Sequence, residues 1–133
     1  MGYKTIGRFV YDSTAAYSVV AGDALPLTTA TTTCNLSCDG GTVTISQAGV
    51  YLITANMTFE ASATGAIETQ LYRNGNAVSG AHAYSTADAS GDYVSQEYST
   101  IVSVPKCGQA TISIKTLDDA SVIVANLLVV KLA

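Results

Sequence analysis

Gly49-Val50-Tyr51-Leu52-Ile53-Thr54-Ala55-Asn56-Met57-Thr58-Phe59-Glu60 decides the fold class. From Tyr51 onward two kinds of position alternate. Tyr51, Ile53, Ala55, Met57 and Phe59 form an apolar row; Thr54, Asn56, Thr58 and Glu60 form a polar one, with Leu52 the exception. A period of two places successive side chains on opposite faces of a β-strand, one toward a core and one toward water or a partner. Gly49 precedes the row, and a residue without a Cβ lets the chain turn sharply into the strand.

On either side of this strand the signals remain β. Ile6 to Tyr11 and Tyr17 to Val20 are β-rich runs, the second ending at Ala21-Gly22-Asp23; Pro26 then marks an edge or a turn. Cys34 to Cys38 reads as a polar loop or short strand closed by Asp39-Gly40-Gly41. Val43 and Ile45 share a face. Ile67, Thr69 and Leu71 alternate with Glu68, Gln70 and Tyr72, and Asn74-Gly75 follows at once. That dipeptide is a strong hairpin signal because both central residues of the turn take positive φ. Ser79 to Asp92 is rich in Ser, Ala, Gly and Asp and is expected to be a long exposed loop. Tyr93 to Val104 and Ala110 to Ile114 alternate again, with turns at Pro105–Gly108 and Asp118-Asp119. No window carries helical periodicity with caps. About eight to ten short strands with frequent turns predict an all-β, two-sheet antiparallel jelly-roll sandwich, a single domain over 1–133.

Composition narrows the function. Of 133 residues 48% are hydrophobic and 12% charged, about half the charged fraction usual in soluble domains. The net charge of −4 and the absence of any Lys/Arg run speak against nucleic acid, which needs clustered cations. No stretch reaches the roughly 18 consecutive apolar residues of a membrane helix. The Met1–Ser13 start has no apolar signal-peptide core, and Ile6 stands where a myristoylation pattern needs Ser or Thr. The expectation is a chain made in the cytoplasm without a signal peptide.

Val122 to Val130 is apolar on both faces: Leu128, Val130 and Leu132 on one, Leu127 and Val129 on the other. Such a strand needs cover on both. A second subunit supplies that cover and explains the low charge count, since the cores of subunit contacts are depleted in charge. Leu127, Val129, Tyr17 and Ile101 are the candidate interface residues.

No catalytic constellation stands out, and the chain is read as a non-enzyme that needs no cofactor. His82, Ser85 and Asp88 lie three residues apart on one polar stretch, without a strained nucleophile turn. Glu60 and Glu68 flank a turn, and strand-end solvent positions suit them better than a sugar cleft. Cys34, Cys38 and Cys107 with the single His82 fall short of a zinc ligand set, and Asp118-Asp119 or Asp88 with Asp92 do not match a calcium loop. A Cys34–Cys38 bridge and two free thiols are both compatible with the spacing. Tyrosine, with eight residues, is the exception among few aromatics. Its ring and hydroxyl suit protein or sugar partners. His82, Tyr84, Asp88, Asp92 and Tyr93 are therefore candidate recognition residues.

Several segments together resemble the tumour necrosis factor/complement globular-head superfamily of trimeric jelly rolls. They are Gly49-x-Tyr51 opening a long strand; Leu71-Tyr72-Arg73-Asn74-Gly75-Asn76-Ala77-Val78; Thr100–Val104 before a Gly turn, then Ala110–Ile114; and the closing Leu127–Leu132. The nearest flavour is the bacterial and phage branch, similar to the C-terminal domain of the Bacillus collagen-like exosporium glycoprotein. No collagen-like Gly-X-Y stalk is present, and Trp is absent. The resemblance implies a trimeric jelly roll and does not carry over receptor binding or complement activity. Taken with the missing signal peptide, the low-charge Ser/Thr-rich surface and the doubly apolar last strand, it gives the expectation of a homotrimer on a phage virion or bacterial surface, as head decoration, head fibre or tail-associated receptor-binding protein. Its partners would be capsid or tail proteins, or a host surface glycan or protein. The other expectation is a soluble cytokine-like or lectin-like module that binds through residues 79–93.

Overall fold

A computed structural model describes residues 5–133, apart from the side chains of Thr14, Ala15 and Thr32. The Met1-Gly2-Tyr3 start, read above for a lipidation pattern, lies outside the described residues. Ten strands follow one another: β1 (Ile6–Val19), β2 (Thr29–Cys34), β3 (Leu36–Asp39), β4 (Thr42–Ile45), β5 (Gly49–Glu60), β6 (Gly65–Arg73), β7 (Asn76–Ala87), β8 (Tyr93–Val104), β9 (Ala110–Thr116) and β10 (Ala120–Lys131). They form two five-stranded antiparallel sheets, ordered β2-β1-β10-β5-β8 and β3-β4-β9-β6-β7. This is the expected two-sheet jelly roll.

The opening stretch behaves as its alternation demands. Tyr51, Ile53, Ala55, Met57 and Phe59 are all within 1% of full burial, and each large side chain among them contributes about 1.5–3 kcal/mol by leaving water. Leu52, Thr54, Asn56, Thr58 and Glu60 point away from the core. Val43, Ile45, Leu71, Ile112 and Ile114 complete the core from the opposite sheet.

Backbone conformation explains the corners. Asn74 and Gly75 both take positive φ, 52° and 82°, closing the two-residue β6–β7 hairpin as the dipeptide predicts. At the β3–β4 turn, Gly41 has φ of 87°, and a Cβ there would lie 2.2 Å from the Leu25 carbonyl oxygen, so only glycine fits. Asn35, with φ of 62°, carries the chain from β2 in one sheet to β3 in the other. In the β8–β9 turn the left-handed residue is Cys107 rather than its neighbour Gly108.

Two sequence expectations are corrected, and one further strand is found. The runs Ile6–Tyr11 and Tyr17–Val20 fall along one strand, β1, which ends at Val19 and whose pairing with β10 shifts register between Asp12 and Tyr17. The polar Thr29–Cys34 segment, which carries no strand pattern of its own, is also a strand, because pairing with β1 satisfies its backbone whatever its side chains prefer. The long loop at 79–92 is mostly strand: β7 runs to Ala87 and pairs with β6, which leaves Asp88–Asp92 as the turn. Small, polar residues concealed that strand because it lies at a sheet edge and needs little apolar burial.

A polar cluster bridges the sheets inside the core. The Thr69 hydroxyl donates to Gln96 Oε1 at 2.6 Å, and Gln96 Nε2 donates to the Ile67 carbonyl at 2.7 Å. With its one proton used, Thr69 accepts from Tyr98 Oη at 3.1 Å. Burial pushes the Tyr98 phenol up to about 12.

Candidate assembly face and recognition surface

The outward face of the β2-β1-β10-β5-β8 sheet follows from strand register, since directly opposed residues share a face. Ile6 opposes Val130, Val130 opposes Leu52, and Leu52 opposes Ile101. These four make a continuous aliphatic row across four strands, and Ile101 is 61% exposed. The exposed thiol residue Cys34 opposes Ile6 at its β2 end. The next row is Arg8, Leu128, Thr54 and Ser99. The third is Val10, Asn126, Asn56 and Glu97, and the fourth Asp12, Val124, Thr58 and Ser95. One end of the face is thus aliphatic and the other increasingly polar, with Thr58 Oγ1 and Ser95 Oγ 3.1 Å apart there.

Beside Ile101 the edges of the two sheets meet at an open cleft of about 350 Å³, lined by Arg73, Asn74, Asn76, Val78, Ile101 and Ser103 among others. An Arg73 Nη2 proton goes to the Ser103 carbonyl, tying β6 to β8, while Nε is buried without a hydrogen-bond partner. The aliphatic row therefore runs on into a groove at the molecule's edge.

Two of the four interface candidates are corrected. Leu127 and Val129 have no exposed surface: they face the sandwich core, and their β10 neighbours Leu128 and Val130 hold the outward positions. Both faces of β10 are apolar as read from the sequence; only the assignment of core and partner face is reversed. Ile101 stands on the outward face. Tyr17 is 49% exposed but lies elsewhere, edge-on to Tyr11 at 5.7 Å between ring centroids, in a cleft with Pro26, Leu27 and Cys38.

The five recognition candidates separate into three places. His82 and Tyr84 lie on the outward face of β7 in the second sheet; Asp88 and Asp92 are in the turn; and Tyr93 begins β8, on the outward face of the first sheet opposite Glu60. His82 Nε2 contacts Glu68 Oε2 on β6. Glu68 directly opposes Tyr84, whose side chain is 67% exposed. Farther along β6, beyond Gln70 and a register shift, Tyr72 carries the Lys115 ammonium 5.0 Å from its ring centre. The surface pairs an open aromatic plane with a carboxylate–imidazole couple. Sequence reading missed Glu68 as the partner of His82, because the two meet only once β7 is a strand.

The sequence-level triad does not assemble. His82 turns to Glu68, and Ser85 Oγ reaches the Ser95 carbonyl at 3.5 Å. The aspartates act as local braces: Asp92 accepts from the Ala89 N–H, Asp118 from the Glu68 N–H and Asp119 from the Ala21 N–H, at 2.9–3.0 Å. Among the described residues no cluster of His, Cys, Asp or Glu is placed to hold a metal ion. All three cysteines are free; Cys38 Sγ donates to the Leu27 carbonyl at 3.6 Å, and burial raises its thiol above the usual range. Among the described residues no helix is long and apolar enough to cross a membrane.

No family model and no curated protein matches the sequence. Solved structures do match. Eiger TNF from S. frugiperda superposes with a TM-score of 0.82 at 13% identity, covering 98% of this chain and 93% of that one. The zebrafish complement 1qA globular domain matches with a TM-score of 0.68 at 9% identity, covering 98% of each chain. Murine APRIL at pH 8.5 matches with a TM-score of 0.68 at 14% identity over 98% and 100% of the two chains. The chain has the jelly-roll fold of the tumour necrosis factor and complement C1q globular domains.

Proposed function

We propose that this protein is a non-enzymatic homotrimer, joined through the outward face of the β2-β1-β10-β5-β8 sheet, and that it serves as a structural or adhesive head on a phage virion or bacterial particle. The observation that carries the trimer is the row Ile6–Val130–Leu52–Ile101 with Leu128 beside it, an aliphatic strip on the solvent side of a complete sandwich. The groove beyond Ile101 gives that strip an edge against which a neighbour can pack in a ring. The fold shared with Eiger TNF and APRIL supports the trimer. Low charge and a Ser/Thr-rich exterior support the particle-surface role.

Light scattering at micromolar concentration tests the assembly. The expected mass is about three times the 13.7 kDa of the chain. Leu52→Asp buries a charge in the contact and is expected to give a folded monomer. A wild-type monomer sinks the proposal. The particle role is tested by mass spectrometry of purified virions or spores from the source organism; absence from every such particle removes it.

A second reading is favoured by one observation, the Glu68–His82 couple beside exposed Tyr84. In this reading the second sheet's outward face binds a glycan, with the tyrosine ring against the sugar and Glu68 accepting from its hydroxyls. Glycan-array binding that Tyr84→Ala and Glu68→Gln each abolish would support it; binding that both variants retain would reject it.

A further inference from the structure

The outward positions of β10 read Val124, Asn126, Leu128, Val130. A single amide interrupts an aliphatic series. Asn126 Nδ2 donates to Asn56 Oδ1 on β5 at 3.1 Å, while Asn126 Oδ1 is buried and has no hydrogen-bond partner. Turning the amide over does not cure this. Two facing amides share one hydrogen bond, and the other polar end of Asn126 remains unmet. An unmet buried amide is a standing cost, which water or a group of another molecule relieves.

We propose that the Asn126–Asn56 pair sets the register in which copies of this chain meet. The amide of Asn126 is completed by a side-chain amide or hydroxyl of a second copy, brought into reach by rotation about the soft Cβ–Cγ torsion of Asn126. The inference rests on the trimer reading above and adds what that reading lacks, a reason for one packing rather than several. The second copy carries suitable groups in the same part of the face: Asn56, Asn126 and the Thr54 hydroxyl. Successive outward rows lie about 7 Å apart along a strand. A slip of one row takes Asn126 out of line with the Asn56–Asn126 pair of the second copy and onto a row that carries no amide, Val124 with Thr58 or Leu128 with Thr54. Without the amide, Val124, Leu128 and Val130 form a seam whose attraction has no directional component, so slipped packings compete. A lone asparagine in an apolar seam does the same in coiled coils, fixing register and oligomer state while weakening the assembly.

Native mass spectrometry of wild type, Asn126→Leu and the double variant Asn56→Leu/Asn126→Leu tests this, with hydrogen exchange across residues 52–58 and 124–130. Wild type is expected as one trimeric species. Asn126→Leu is expected to stay associated to at least a tenfold lower protein concentration, while distributing over more than one oligomeric state or exchanging heterogeneously on the outward face. A variant that remains a single trimer with wild-type exchange overturns the inference and leaves the trimer reading standing. A folded monomeric variant also overturns it, since the amide would then be a source of affinity rather than of register. A monomeric wild type overturns both. If Asn126→Leu does not fold, Asn126→Val makes the same comparison with a β-branched residue suited to the strand.

Discussion

Single residues in this chain are held by different forces, and each gives a separate test. Tyr98 is protonated because it is buried, and that burial outweighs the opposing effect of its hydrogen bond with Thr69. Its folded-state value of about 12 lies above the phenol's ordinary value near 10, so the folded chain keeps its proton to higher pH than the unfolded one. The resulting stabilisation is whole below about pH 10 and is lost as pH rises toward about 12. It amounts to about 2–3 kcal/mol across that window. Tyr98→Phe is expected to cost about 1 kcal/mol at neutral pH and to flatten the alkaline fall in urea-unfolding free energy. Two neighbouring glycines form another contrast. Gly41→Ala forces both a left-handed φ and a collision with the Leu25 carbonyl, whereas Gly40→Ala has positive φ but open space. Chemical denaturation is expected to show a loss of about 1–2 kcal/mol for Gly40→Ala and a clearly larger one for Gly41→Ala.

The elements show how far a sequence can be read and where it stops. The β5 alternation was decisive because each residue has two options, core or outside, and Tyr51 to Phe59 choose without ambiguity. The Asn74-Gly75 turn was legible because its backbone conformation is local. Asn74 does more than turn: its Oδ1 accepts from the Thr111 N–H at 2.9 Å, and its own N–H goes to the Thr111 carbonyl, pinning the hairpin to β9. Asn74→Ala is expected to lower the urea midpoint by an amount equivalent to about 1–2 kcal/mol, with little change in slope. The β2 and β7 strands were illegible because edge pairing depends on a partner far along the chain rather than on their own apolar content. The identity of the outward face of β10 was hidden for a related reason. Both of its faces are aliphatic, and only pairing with β5, where Leu127 meets Ala55 and Leu128 meets Thr54, says which is inside. The recognition candidates suffered in turn: once β7 is a strand, His82 and Tyr84 leave the loop and join Glu68.

At the scale of the molecule, every sheet contains pairings between strands remote in sequence, such as β1 with β10 and β4 with β9. Loop closure must precede the contacts that reward it, so refolding of the monomeric Leu52→Asp variant is expected on the order of milliseconds to seconds in stopped-flow fluorescence, not microseconds. The proposed trimer would add mass action: the melting temperature of the wild type is then expected to rise with protein concentration, and that of Leu52→Asp to stay fixed. The placement of β10 between β1 and β5 has a consequence for synthesis. Until residues 120–131 have left the ribosome, the chain holds two separate fragments of that sheet, β1 with β2 and β5 with β8. The strand that unites them is also the one that carries Leu128 and Val130 to the outside. The outward aliphatic row is therefore assembled only once residues 120–131 have joined β1 to β5, late in the order in which the strands are made.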